Sequence, residues 1–173
     1  MSIRQPLTAE RLGEVLAYEP DTGIFRWRIR PSNRVKVGAV AGRSNGNGYT
    51  RICIDGVNHY AHRLAWLAVH GKHPAGEVDH RNGNRADNRI ANLRVGTHAQ
   101  NAQNQPLRVT NTSGRHGVSW SKPHGKWAAY IVKAGRKKHL GLFECIDRAS
   151  EAYMAAKAKL HAFQPVPRDA VHA

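Results

Sequence analysis

The stretch from Glu77 to Asn101 constrains the fold more than any other part of this chain. Glu77-Val78-Asp79-His80-Arg81 reads as a short strand, Asn82-Gly83-Asn84 as a loop and Leu93-Arg94-Val95 as a second strand. Thr97 is a suitable N-cap for a short helix through Asn104. Strand, loop, strand and helix make a ββ-hairpin leaning on a helix. Such a unit can gather Asp79, His80 and Asn101 although they are far apart in sequence, with Asn92 twelve positions past His80 and Asn101 nine further on.

Upstream, Leu12, Val15 and Leu16 after Thr8 predict a short helix over 7–17. Tyr18 to Gly23 is turn chemistry leading into a strand at Ile24-Phe25-Arg26-Trp27, and Ser32 to Gly48 reads as a polar, glycine-bearing loop. Tyr49 to Tyr60 alternates and turns at Asp55-Gly56, the pattern of a β-hairpin. A helix over 61–70 follows, with Leu64, Leu67 and Ala68 on one face and Pro74 and Gly76 ending it.

Gln105 to Thr112 lacks periodicity and contains Pro106, which marks a boundary. Beyond it, the runs at 117–120, 127–132 and 137–142 predict a three-stranded antiparallel sheet. Asp147 is expected to cap a helix whose Ala149, Ala152, Tyr153, Ala156 and Leu160 cover one side of that sheet, leaving the other free to bind. The expected organisation is α+β: a first domain over 1–104, a linker over 105–112, a second domain over 113–164 and a loose tail over 165–173.

A chain of 173 residues suits one ordinary domain or two small ones. Its formal charge of +15 makes it a polycation whose partners are DNA or RNA first and an anionic membrane second. Between Arg81 and Leu140 seven Arg and five Lys face one acid, Asp87, a footprint for phosphate. Cys53 and Cys145 stand alone, so neither a zinc knuckle nor a disulfide framework is expected, and both are read as buried thiols in a reducing cell. The N-terminus has no long apolar core and no run is long enough to span a bilayer, which places the protein in the cytosol.

Phosphodiester hydrolysis needs a nucleophilic water, a base for its proton and positive charge for the developing phosphorane. Asp79 and Asn101 offer oxygen ligands suited to Mg²⁺ or Mn²⁺. His80 is the natural base, and Asn92 can hold the imidazole or the loop in register through its amide. A lone Asp-His pair is more often turn chemistry, but four such residues in this order favour a cutting site. Arg81, Arg85, Arg89 and Arg94 are expected to meet phosphates as a group, whereas His62 reads as a packed histidine.

The motifs Ala61-His62-Arg63-Leu64-Ala65-Trp66, Asp79-His80-Arg81-Asn82-Gly83, Asp87-Asn88-Arg89-Ile90-Ala91-Asn92-Leu93-Arg94 and Gln100-Asn101 resemble the HNH homing-type endonucleases common in phages, over about 18–104. The resemblance implies a ββα-metal nuclease domain in which His80 is the general base, Asp79 and Asn101 bind the divalent ion and Asn92 orders the hairpin. It also implies products with a 5′-phosphate and a 3′-hydroxyl. Asn101 stands where many relatives carry a metal-binding His, which favours a hard ion over zinc.

Asn111 to Trp120, with Gly125-Lys126-Trp127 and Leu140-Gly141-Leu142-Phe143, resembles the Apetala-type DNA-binding domain of plant ethylene-response factors. That likeness implies a sheet lying in the major groove. Alternation turns Trp127, Ala129 and Ile131 towards the helix and Ala128, Tyr130 and Val132 outward, with Lys137 and His139 on the outward side of the last strand. Arg115, Lys122, Lys126, Tyr130, Lys137 and His139 are the candidate DNA contacts, and Trp120 and Trp127 are expected in the core. Ser119, Tyr130 and Val132 replace arginines of the plant domains, so the plant base preference does not carry over.

These expectations combine into a metal-dependent endonuclease that acts on double-stranded DNA, uses no small-molecule cofactor and works as a monomer or weak dimer in a bacterial or phage-infected cell. Two rivals share the charge: a DNA-binding regulator with an inactive nuclease half, and an RNA-binding protein.

Overall fold

The computed structural model describes residues 6–164, so the tail expected over 165–173 lies outside the described residues. The chain mixes small helices and sheets and divides into two compact units, Met1–Gly96 and Thr97–Ala173. That division puts the helix after Thr97 with the second unit. No helix is long and apolar enough to cross a membrane among the described residues.

The first unit begins with α1 (Ala9–Val15), where the Thr8 hydroxyl accepts the Arg11 amide at 3.1 Å. The helix stops earlier than its apolar spacing predicts. Leu16 is extended, and β1 (Leu16–Glu19) pairs antiparallel with β2 (Ile24–Trp27), Leu16 facing Trp27. Burial of Leu16 beside Phe25 and Trp27 outweighs the weak preference for another helical turn. The loop expected over 32–48 contributes a two-residue strand, β3 (Arg43–Ser44), to a sheet of order β3-β4-β5 with β4 (Thr50–Ile54) and β5 (Val57–Tyr60).

The next helix, α2 (Ala61–His70), has the expected bounds, and the residue that stops it is Gly71, ahead of Pro74 and Gly76. Gly71 takes the left-handed conformation, φ +69°, and its N–H closes on the Leu67 carbonyl at 2.9 Å, the αL cap that glycine adopts without a Cβ penalty. Leu12, Phe25, Ile52, Leu64, Leu67 and Leu93 meet in one apolar core. Against that core lies the hairpin of β6 (Glu77–His80) and β7 (Leu93–Gly96), with Asp79 opposite Arg94 and His80 opposite Leu93.

The second unit starts with α3 (His98–Asn101), held by a full capping box in which Thr97 and Gln100 satisfy each other's backbone amides. A single 3-10 turn, Ala102–Asn104, follows. Strands β8 (Val118–Ser121), β9 (Lys126–Lys133) and β10 (Arg136–Phe143) form an antiparallel sheet of order β10-β9-β8, packed on α4 (Ile146–Leu160). Ala129 and Ile131 are buried and Val132 is exposed, as period-2 alternation requires.

Three local expectations are corrected. Cys145, not Asp147, occupies the N-cap of α4, and Asp147 sits in the first turn, where its charge favours the positive end of the helix. Trp120 is half exposed on the outer strand β8, with its ring edge-on to Trp127 at 5.1 Å. Both cysteines are exposed: Cys53 alternates between the buried Ile52 and Ile54, and Cys145 lies at a helix end. The α4 face also buries Lys157, whose ammonium donates to the Gln103 carbonyl at 2.7 Å and whose pKa burial pulls down to about 8.

Candidate active site

Strand pairing creates the first contact of the site. Because Asp79 and Arg94 are cross-strand partners, the guanidinium reaches one carboxylate oxygen of Asp79 with Nε at 3.0 Å and Nη2 at 2.8 Å. Both side chains are nearly buried, at 11% exposure for Arg94 and 13% for Asp79. Arg94 therefore serves Asp79 in this conformation, whereas the sequence counted it among the phosphate contacts.

His80 is buried next to Asp79, at 3% exposure. Its Nε2 lies 3.3 Å from Asn88 Oδ1, while the Asn88 amide donates to the Ala86 carbonyl at 3.1 Å. The Asn88 oxygen is thus the acceptor, Nε2 carries the proton, and Nδ1 holds the basic lone pair. Burial pushes the imidazole pKa below its ordinary value, against opposing pulls from Asn88, Asp79 and Asp87. The ring is neutral at physiological pH, the form in which it accepts a proton.

Asn92 closes the loop between the two strands. Its side-chain oxygen accepts the Asn82 amide at 3.0 Å, its amide donates to the Asp87 carbonyl at 2.8 Å, and its own carbonyl accepts the Arg81 amide at 2.8 Å. Asp87 is bound by Arg89 through bonds of 2.8 and 2.6 Å and by Asn82 at 2.8 Å, and the Arg89 bonds hold its carboxyl down at about 2. Because Asn92 is buried, Asn92→Ala should leave the Asn82 amide and Asp87 carbonyl without these partners and cost about 1–3 kcal/mol, read by urea unfolding.

Two supports, Tyr18 and Gly23, were not singled out from sequence; a third, His62, is the packed histidine expected there. The Tyr18 hydroxyl donates to the Asn88 carbonyl at 2.7 Å across 70 positions, and no local pattern announces such a bond. A Cβ on Gly23, at φ +73°, would come within 2.4 Å of the Arg89 amide nitrogen, so the β1–β2 turn can press on the Asn88-Arg89 backbone only with glycine there. His62 contributes a buried ring edge-on to His80, centroids 5.2 Å apart, and stacks on Tyr60 at 5.3 Å.

The remaining candidates lie as follows. Arg81 is exposed just past β6. Arg85 sits over the Tyr49 ring at 4.9 Å and donates to the Asn47 carbonyl. Arg89 is engaged by Asp87. In the second unit Asn101 is buried on α3. Arg115 bridges to Asp147 at 3.2 Å and Lys126 to Glu144 at 3.4 Å, both exposed pairs of small energetic weight. Lys122 is exposed in the turn before β9. Lys137 lies over the Tyr130 ring at 3.7 Å, and His139 is exposed opposite Tyr130.

No three His, Cys, Asp or Glu side chains cluster as a metal site among the described residues. Asp79 places a carboxylate beside His80, a hard oxygen donor of the kind a divalent cation takes.

Residues 59–103 match the model of the HNH endonuclease family, the segment that carries α2, the β6–β7 hairpin and α3, and the chain belongs to that family. It is 34% identical over 101 residues to Protein 3.8 of Escherichia phage T7, covering 58% of this chain and 83% of the relative. No solved structure matches it.

Proposed function

We propose that this protein is a metal-dependent DNA endonuclease that hydrolyses phosphodiester bonds of double-stranded DNA, with the second unit adding affinity and target choice. The observation that carries the reading is the buried, neutral His80, oriented through Nε2 by Asn88 beside Asp79, within the segment that matches the HNH family. In the proposed reaction a water attacks phosphorus, its proton passes to Nδ1 of His80, and the bond from phosphorus to the 3′ oxygen breaks as that oxygen takes a proton from solvent water. Asn92 keeps the loop in register, and Arg81 and Arg85 offer positive charge to phosphate oxygens.

Asp79, and by the family resemblance Asn101, would hold the divalent ion. When bound, that ion supplies charge neutralisation and an acidified water. For the second unit, the exposed Lys122, Lys137 and His139 and the half-buried Tyr130 support a sheet of the Apetala type that meets DNA. Two modules on one chain bind more tightly than either alone through effective concentration. The site of action is the cytoplasm of a bacterial or phage-infected cell.

Product chemistry tests the reading. Nicked plasmid should be resealed by DNA ligase without prior end treatment, because the ends are 5′-phosphate and 3′-hydroxyl. Nicks that ligase seals only after phosphatase and kinase treatment would assign the opposite polarity of cleavage and overturn the proposed leaving group.

A further inference from the structure

We infer that the concave face between the β2–β3 connection and β4 is a second phosphate-binding cleft, which holds the backbone of the DNA duplex beside the cutting site. The inference rests on the endonuclease reading and adds a surface that lies outside the family-matched segment. From Gly23 to Ile54 the chain has six Arg and one Lys and no Asp or Glu. Folding turns that run into a cleft of about 1240 Å³ with Arg30, Arg34, Lys36, Arg43 and Arg51 on its walls.

The charges in this cleft are not compensated from within. Asp55, the carboxylate on its wall, is taken by Arg11, whose Nε and Nη2 each donate to one of its oxygens at 2.9 Å. None of the five lining cations meets a carboxylate among the described residues. Arg30, Arg34, Lys36 and Arg43 are exposed, and their like charges gathered on one concave surface raise a positive potential that a polyanion relieves. A cleft suits a ridge of backbone phosphates better than it suits a flat bilayer.

Arg51 joins the cleft to the site. Its Nη2 donates to the Tyr60 hydroxyl at 2.6 Å and its guanidinium lies 4.7 Å from the Tyr60 ring centre. Tyr60 stacks on His62 at 5.3 Å, and His62 meets His80 at 5.2 Å. Three contacts therefore separate a cleft arginine from the proposed base, so a duplex cut at His80 can lay its neighbouring phosphates in the cleft.

The test is a salt titration of binding to a fluorescent DNA duplex in EDTA, using the full chain and its R30Q/R34Q/K36Q variant. Each lost phosphate contact lowers the slope of log affinity against log salt by about 0.9, so the variant should lose about 2–3 in slope and roughly tenfold or more in affinity. The charge-preserving R30K/R34K/K36R variant should restore the slope, which a lesion in folding would not allow. An unchanged slope in the glutamine variant, with wild-type binding and metal-dependent cutting intact, overturns the cleft alone. Absence of duplex binding by the wild-type chain overturns both the cleft and the endonuclease reading. Tighter binding to duplex RNA, with the same loss of slope in the variant, assigns the cleft to RNA and overturns the DNA assignment.

Discussion

Cleavage by the His80→Ala protein should fall by about 10²–10⁴-fold, the usual contribution of a positioned general base, while duplex binding is retained. The expectation follows from the tautomer. With Nε2 donating to Asn88 Oδ1, the lone pair sits on Nδ1, and the neutral ring is the active form. Burial lowers the pKa, so neutral imidazole persists to lower pH than the ordinary value of about 6.5, and the acid limb of the cleavage profile should lie below that pH. Cleavage rates at saturating protein, measured across pH for wild type and variant, read both effects. A His80→Ala protein that cuts at the wild-type rate removes this residue as the base.

Acid lability is the second large effect, and it centres on His62. The ring is 7% exposed, its Nδ1 has no hydrogen-bond partner among the described residues, and burial together with the neighbouring His80 and Arg63 drives its pKa down to about 3. The unfolded chain takes up a proton near pH 6.5, whereas the folded chain takes it up only near 3. Between those values the unfolded state binds more protons, so stability is fully present above the upper value and falls as pH drops, by about 1.4 kcal/mol per pH unit. Urea unfolding at pH 7 and pH 5 should therefore show a loss of about 2 kcal/mol from this group, and His62→Phe should flatten the pH dependence by that amount. Parallel stability curves for the two proteins would show that His62 is protonated in the folded state.

Period and turn chemistry made much of this architecture legible. The β4–β5 hairpin turns at Asp55-Gly56, α2 carries its apolar stripe, and alternation in β9 buries Ala129 and Ile131. Asp79, His80 and Asn92 were visible as well, because they crowd into one short segment, whereas Asn88, which orients His80, was not singled out there. What holds them was not visible. Arg94 meets Asp79 only because the strand register sets them opposite, and Tyr18 reaches Asn88 only because β1 replaces the predicted last turn of α1.

Exposure was harder to read than periodicity. Trp120 looked like core by size and chemistry, yet it lies on an outer strand, and Cys53 is apolar by type but falls on the outward phase of β4. The cationic cleft has its own signal in the sequence, the run from Gly23 to Ile54 without a carboxylate, but about half of that run has the composition of a polar loop. Charge counted from Arg81 onward favoured the hairpin and the C-terminal sheet instead.

The most direct test is relaxation of supercoiled plasmid by the wild-type chain in Mg²⁺, in Mn²⁺ and in EDTA. The endonuclease assignment predicts open-circle or linear DNA with either metal and none in EDTA. Intact supercoiled plasmid under all three conditions, from protein that still binds the duplex, contradicts it and leaves a DNA-binding protein whose nuclease half does not cut.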